Sequence, residues 1–414
     1  MSLPREHTMK HGGKRPSRLF LRPCLLLSVM VFVVALSACS SQKGLFQTRP
    51  PAPGELKDDS SPAGLLEAVD QSIRYYLRLP SSRRFTYGEL EYSPDEMIAS
   101  MLFFRNLVLN SPDQESFLKE VTGKFHFFDS VREEGDNLFT GYYEPLIPGS
   151  PQPRGNLKMP IYTRPENMVE INLSDFDDDL PNRRLVGRQE GNSIVPFYTR
   201  QEIQGREALN GKAQVLAYVD EVDLFFLQIQ GSGAIRFPDG TEIKVGYEAS
   251  NGHPYRSIGS QLIQKNIIPA EEMSLHRIRA YLAENPQSKR DLLFTNPSYV
   301  FFSIRPEGPL GHISVPLTPG RSLALDKRLF PAGSLAFVST EVPVPFDTVK
   351  TRPFNRFMTV QDTGGAIRGH GRGDLFWGNG QEAEWIAGHL KHTGRLMLLV
   401  AKKEHLRPYL ASSP

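Results

Sequence analysis

The sequence predicts a mainly β protein with a few helices, on three observations. Short runs of alternating apolar and polar residues recur from Lys124 to Val400. The 34 Gly and 33 Pro supply turns for many short strands rather than for long helices. Apolar residues at helical spacing occur only ahead of Gly123 and once more near residue 280. A length of 414 residues favours two domains or one large one, and 39% hydrophobic residues are enough for a core. The formal net charge of +2, with no long basic run in the body, gives no nucleic-acid footprint.

The chain opens with an address. Lys10, Lys14, Arg15, Arg18 and Arg22 precede an apolar run from Cys24 to Leu36, the pattern of a secretory signal peptide. The run is short for a transmembrane helix, which needs roughly 20 residues. It ends in Leu36-Ser37-Ala38-Cys39, which resembles a bacterial lipobox. By that resemblance residues 1–38 are a lipoprotein signal peptide, Cys39 carries the lipid, and Ser40 directs the protein to the outer membrane, facing the periplasm. The alternative is an uncleaved single-pass anchor, and Met9 is an alternative start to Met1. The only cysteines are Cys24 and Cys39, so the body has no disulfide, thiolate metal site or cysteine nucleophile. Residues 39–63 are rich in Ser, Pro and charge and read as a flexible tether.

Three helices follow. Ser61-Pro62 starts one carrying Leu65, Leu66, Val69, Ile73 and Tyr76; Ser93-Pro94-Asp95-Glu96 is a capping box ahead of Met97, Met101 and Leu102; Ser111-Pro112-Asp113-Gln114 repeats that pattern ahead of Phe117, Leu118 and Val121. Strands are expected at Lys124–Phe128, Leu138–Tyr143, Gln214–Val219, Leu224–Gln230, Ile243–Tyr247, Val300–Ile304, Leu335–Val338, Phe357–Val360 and Arg395–Val400. One helix, Ser274 to about Glu284, interrupts them and stops before Pro286.

The densest chemistry lies in residues 361–378, where Asp362 and Asp374 flank Gly364, Gly365, Gly369, Gly371 and Gly373. Such a loop brings backbone N–H groups beside a carboxylate, which suits a perturbed acid and stabilisation of developing charge. Taken alone, it also fits a surface turn pair. Asp362-Thr363-Gly364 lacks the second copy that a two-lobed aspartic protease needs. His389 and His392 have metal-ligand spacing but no third ligand nearby, so no metal is assigned. Trp377 reads as core before groove, and Glu144 as a turn residue.

Several motifs in order resemble the membrane-bound lytic murein transglycosylase A (MltA) family. They are Gly141-Tyr142-Tyr143-Glu144-Pro145, Pro160-Ile161-Tyr162-Thr163-Arg164-Pro165, Phe226–Gly233, Ile235–Gly240, Val245-Gly246-Tyr247, Asn251–Tyr255 and Asn296–Phe302. Leu323–Asp326, Phe330–Ser334, Gln361–Gly369 and Gly373–Phe376 resemble the three-aspartate (3D) domain that ends that family. The Asp362-to-Asp374 interval is slightly longer than the family pattern, with Gly371 or Gly373 placed to absorb it.

The resemblance implies a double-psi β-barrel domain from residues 64–145 and 294–405, its three-aspartate part at about 313–400, with a second, smaller β-barrel domain of 146–293 inserted and a glycan groove between them. It implies a peptidoglycan lytic exotransglycosylase, a carbon–oxygen lyase acting on polysaccharides without cofactor, although the residues themselves do not separate endo from exo cleavage. Asp374 matches the family's single acid/base; Asp362 and Asp326 match the two aspartates that shape the site or raise the pKa of Asp374, unless they only form barrel turns. Tyr143, Gln228, Gln230, Ser232 and Tyr247 are candidate sugar contacts. The partners implied are peptidoglycan strands and, through the lipid, the outer membrane; cell-wall synthesis proteins remain candidate partners. An inverting hydrolase and a non-catalytic peptidoglycan-binding lipoprotein are the alternatives.

Overall fold

The computed structural model describes residues 45–130 and 136–410; the signal peptide and Cys39 lie outside them. Strands β1 (Leu45–Thr48), β2 (Phe85–Tyr87), β3 (Leu90–Tyr92) and β4 (Phe125–Ser130) are interleaved with the opening helices. Strand β5 (Asn137–Glu144) leads into a run of shorter strands: β6 (Leu146–Pro148), β7 (Met159–Tyr162), β8 (Met168–Asn172), β9 (Arg184–Glu190), β10 (Ser193–Pro196), β11 (Val215–Val219), β12 (Ser232–Arg236), β13 (Glu242–Ser250) and β14 (Val300–Ile304). The last five are β15 (Ser322–Ala324), β16 (Leu335–Pro343), β17 (Thr351–Asp362), β18 (Arg372–Asn379) and β19 (Lys391–Ala401).

The opening helices span Pro62–Tyr76, Pro94–Asn110 and Gln114–Lys124. The capping box at the second forms: the Ser93 hydroxyl accepts from the Glu96 N–H at 3.2 Å, and the Glu96 carboxylate accepts from the Ser93 N–H at 2.8 Å. At the third helix the cap is Asp113, accepting from the Ser116 N–H at 2.7 Å, and not Ser111. Ser111 is already used, its N–H closing the preceding helix on the Leu107 carbonyl.

The tether expectation is corrected from Leu45 onward. Strand β1 pairs antiparallel with β4, Leu56 is fully buried, and Asp58 forms an ion pair with the buried Arg321. Composition misses this because the segment has little apolar content of its own. It is held by an open sheet edge and by a buried cation on another part of the chain.

Six strands close a ring in the order β5, β18, β15, β17, β16, β19 and back to β5. The pairs β5–β18 and β15–β17 are parallel and the other four antiparallel. This is the closed barrel of the expected fold class. Its core runs through Phe139, Leu323, Phe337, Phe357, Leu375 and Leu398, and the opening helices add Val69, Phe104 and Val121. Where β5 meets the helix Gln381–His389, Gly141 leaves no room for a side chain: a Cβ would lie 2.8 Å from both the Ala387 Cα and the Trp377 Nε1. Gly141→Ala is expected to lower stability by about 1–3 kcal/mol in chemical denaturation, by overpacking.

The second domain is inserted between β5 and β15. Its sheet runs β14-β13-β12-β6. It continues through a bridge between Ser150 and Tyr218 into the pair β11–β7, and β7 returns to β14, where the Tyr299 hydroxyl donates to the Pro160 carbonyl at 3.3 Å. The expected end of the insert at residue 293 is corrected: β14 pairs with β13, so the insert extends through Ile304. The strand expected at Leu224–Gln230 is a helix, Glu221–Gln230, started by the Asp220 carboxylate on the Val222 N–H (2.8 Å) and ended by Gly231 at φ 80°. A short, continuous apolar run does not tell helix from strand; the Asp and Gly caps do. Helices at Ile258–Gln264, Pro286–Phe294 and Gln381–His389 add to the one expected at Leu275–Glu284.

Candidate active site

The site forms where β5 and β18 run in parallel with Asp374 opposite Thr140. Side chains alternate along β5, so Thr140 and Tyr142 share one face and Tyr143 takes the other. The Thr140 hydroxyl donates to Asp374 Oδ1 at 2.7 Å, and the Tyr142 hydroxyl donates to Asp362 Oδ2 at 2.8 Å. The Arg372 guanidinium donates to the Thr140 hydroxyl at 3.1 Å. Strand β15 lies between the two aspartates, with Ala324 paired to Asp374 on one side and to Asp362 on the other. Their backbones are therefore about two strand spacings apart, roughly 10 Å.

Both carboxyl groups are half-buried and hold their protons more tightly than an ordinary aspartate. Loss of water raises Asp374 to about 6; the Thr140 hydroxyl and Arg372 oppose this, and the charge of Asp362 adds to it. Loss of water also raises Asp362 to about 6, against hydrogen bonds from Tyr142 and from the N–H groups of Thr363 and His312. Asp326 behaves differently. It is fully buried, and burial opposes its charge, but Arg328 (2.9 and 2.6 Å) and the Gly369 N–H (2.9 Å) outweigh that and hold it at about 2. Gly369 reaches Asp326 at φ 84°, which a residue with a side chain rarely adopts. Asp326 thus fixes the glycine-rich loop. Of the roles expected for it, this is the shaping one; the charges that bear most on Asp374 are Arg372 and Asp362.

The five expected sugar contacts separate. Tyr143 is 3% exposed, its hydroxyl donating to Glu384 and its N–H to the Gln230 side chain, both at 3.0 Å. It is a seam residue, and Tyr142 of the same motif faces the aspartates instead. Gln228 and Ser232 are also buried, Gln228 donating to the Val300 carbonyl at 3.2 Å. Gln230 is half-buried and clasps β5 to the insert. Only Tyr247, 47% exposed, presents a free ring. Trp377 packs against Phe354 (5.5 Å between ring centroids), Glu144 is buried, and His389 stacks on Trp385. Sequence reasoning missed Thr140, Tyr142 and Arg372. The signal for the first two was the period of two in Leu138–Tyr143: a strand that places Thr140 on the site places Tyr142 there as well.

Comparison with known proteins agrees with this geometry. Residues 138–303 match the model for the MltA specific insert domain, and residues 321–400 match that for the 3D domain. Membrane-bound lytic murein transglycosylase A of Escherichia coli K12 is 35% identical over 275 residues, and that of Vibrio cholerae serotype O1 is 33% identical over 272. Each alignment takes in 64% of this chain and 66% of the relative, just under two thirds of the relative's length. A membrane-bound lytic murein transglycosylase from Agrobacterium tumefaciens superposes with a TM-score of 0.72 at 27% identity, over 88% of this chain and 99% of that one. E. coli MltA with bound chitohexaose gives 0.63 at 26%, over 87% and 96%. The lytic transglycosylase LtgG of Burkholderia pseudomallei gives 0.50 at 31%, also over 87% and 96%. With the two domain models together covering more than half of its residues in the family's order, the chain belongs to the membrane-bound lytic murein transglycosylase A family.

Proposed function

We propose that this protein cleaves the β-1,4 bond between N-acetylmuramic acid and N-acetylglucosamine in peptidoglycan and leaves 1,6-anhydromuramic ends, with Asp374 as the single acid and base. The observation that carries this is a half-buried carboxyl group held at about 6 by desolvation and gripped by Thr140. Protonated Asp374 gives its proton to the glycosidic oxygen as the C–O bond breaks. The resulting carboxylate takes the proton of the muramic 6-hydroxyl, whose oxygen closes on C1. Because that nucleophile belongs to the substrate, its effective concentration is high and no second catalytic carboxylate is needed. In this reading Asp362 and Tyr142 shape the site, and the charge of Asp362 helps keep Asp374 protonated. The names of the relatives, and the chitohexaose bound to one of them, support the substrate class.

A second reading is favoured by one observation: Asp362 is also held at about 6, so two carboxyl groups flank the site, as in a glycosidase that uses water. Digestion of sacculi in ¹⁸O-labelled water separates the two. Mass spectrometry is expected to show anhydromuramic ends without label. Labelled reducing muramic acid would replace the lyase by the hydrolase.

Thr140 gives a pH test. Its hydrogen bond favours the ionised form of Asp374, so Thr140→Val leaves the acid protonated to higher pH. Wild-type kcat/KM is expected to fall as pH rises through about 6, and the variant's alkaline limb to lie above that.

We also propose a lipid on Cys39 that tethers the enzyme to the outer membrane, with peptidoglycan strands as its partner and cell-wall synthesis proteins as further candidates. Among the described residues no helix is long and apolar enough to cross a membrane.

A further inference from the structure

An open cavity of about 540 Å³ lies in the inserted domain, lined by Arg256, Ser257, Ser260, Gln261, Lys265 and Thr295. None of the residues lining it is an acid. Arg256 and Lys265 are both exposed, and neither forms an ion pair among the described residues. Two cations facing one polar hollow without a counter-charge form a receptor for anions, and the guanidinium fork suits a carboxylate.

The walls are fixed before any ligand arrives. The Arg256 N–H is held by the Asn296 side chain at 3.1 Å, and Asn296 is 1% exposed. The Lys265 N–H closes the helix Ile258–Gln264 on the Gln261 carbonyl at 3.0 Å. Asn266, at φ 54°, then turns the chain away.

The segment that leads into the hollow also touches the aspartate loop. Tyr255, the neighbour of Arg256, packs its Cβ 3.9 Å from where a side chain on Gly365 would begin, and it lies within electrostatic reach of Arg372. Arg372 in turn bonds Thr140, which holds Asp374. The chain that bears Arg256 thus adjoins the loop that carries the aspartates.

We infer that this cavity binds a free carboxylate of the peptide stem carried by the glycan strand, so that Arg256 and Lys265 read the peptide while Asp374 acts on the sugar. This rests on peptidoglycan being the substrate. The sugars of the strand carry no free carboxylate once the lactyl group is amidated, so the anionic groups of the polymer sit on its stems. A neutral sugar subsite would have used aromatic faces, and no aromatic ring lines this hollow.

The probe is a soluble tetrapeptide stem, L-alanyl-γ-D-glutamyl-diaminopimelyl-D-alanine, titrated calorimetrically into the full mature chain. Binding is expected, weakening as salt is raised. It is expected to fall at least tenfold in Arg256→Ala/Lys265→Gln, to recover in part in Arg256→Lys/Lys265→Gln, and to fall equally when the peptide carboxylates are amidated. Unchanged thermal unfolding of the variants shows that the fold is kept. No heat at millimolar peptide, equal affinity of parent and double variant, or equal affinity for the amidated peptide overturns the inference. The titration needs no turnover. Failure of the cleavage reading would appear in the released muropeptides, and failure of the stem site in the binding curve.

Discussion

Asp374→Asn is expected to reduce muropeptide release from sacculi by at least about a hundredfold, since general acid–base catalysis alone contributes 10²–10⁴-fold. Asparagine keeps the shape and accepts the Thr140 bond, but it cannot give a proton to the leaving oxygen or recover one from the 6-hydroxyl. The same variant is expected to be more stable than the parent at neutral pH. A carboxyl raised from 3.8 to about 6 in the folded state stabilises the fold below the unfolded value, and that contribution is lost as pH rises through about 6. Above that pH the parent holds a desolvated charge that the asparagine lacks. Allowing for partial exposure, the difference is on the order of 1–2 kcal/mol. Urea titrations at pH 4 and pH 7.5 test it: the gap between parent and variant opens only at the higher pH. Near-full release by Asp374→Asn would remove Asp374 from its proposed role.

Asp58→Ala is expected to have the largest effect on stability, about 3–5 kcal/mol. The Arg321 side chain is 2% exposed and meets the Asp58 carboxylate at 2.6 and 3.0 Å. It also donates to the Phe357 and Ser61 carbonyls, at 2.8 and 2.9 Å. Removing the acid leaves a buried guanidinium without a counter-charge. Asp58→Ala/Arg321→Met is expected to recover much of the loss, because an apolar side chain of similar length can fill the site without a charge to solvate. Asp59→Ala, which breaks the Asp59–Arg356 pair nearer the surface, is the control, with a change of about 1 kcal/mol or less. A small change in Asp58→Ala would show that the segment before Pro62 contributes little to the fold.

Period and capping residues made much of this architecture readable. The opening helices, the strands Val300–Ile304 and Leu335–Val338, and the helix after Ser274 follow from those signals. The helix Glu221–Gln230 does not read as one because Leu224–Leu227 is uniformly apolar and Gln228-Ile229-Gln230 alternates as a strand does. Residues 45–63 were misread because their order comes from distant partners, β4 and Arg321, which composition cannot reveal. At the site, the glycine-rich loop and its aspartates stood out as a motif. The separation of roles between Asp362, Asp374 and Asp326 did not, because it depends on which carboxylate meets Arg328 and which meets a hydroxyl. Tyr142 rather than Tyr143 faces the aspartates, a difference of parity one residue along a strand.

The ring that carries the aspartates draws β5 from one side of the insert and its five other strands from the far side. Thr140 pairs with Lys391 across some 250 residues of chain, and with Asp374 across nearly as many. During synthesis the inserted domain has its own sheet and can assemble first, while β5 waits for a neighbour that has not yet been made. The acid therefore acquires its Thr140 partner only when the last strands arrive. A truncated or half-folded chain would hold the aspartates apart from the groups that tune them, so the site is completed only as the final event of folding.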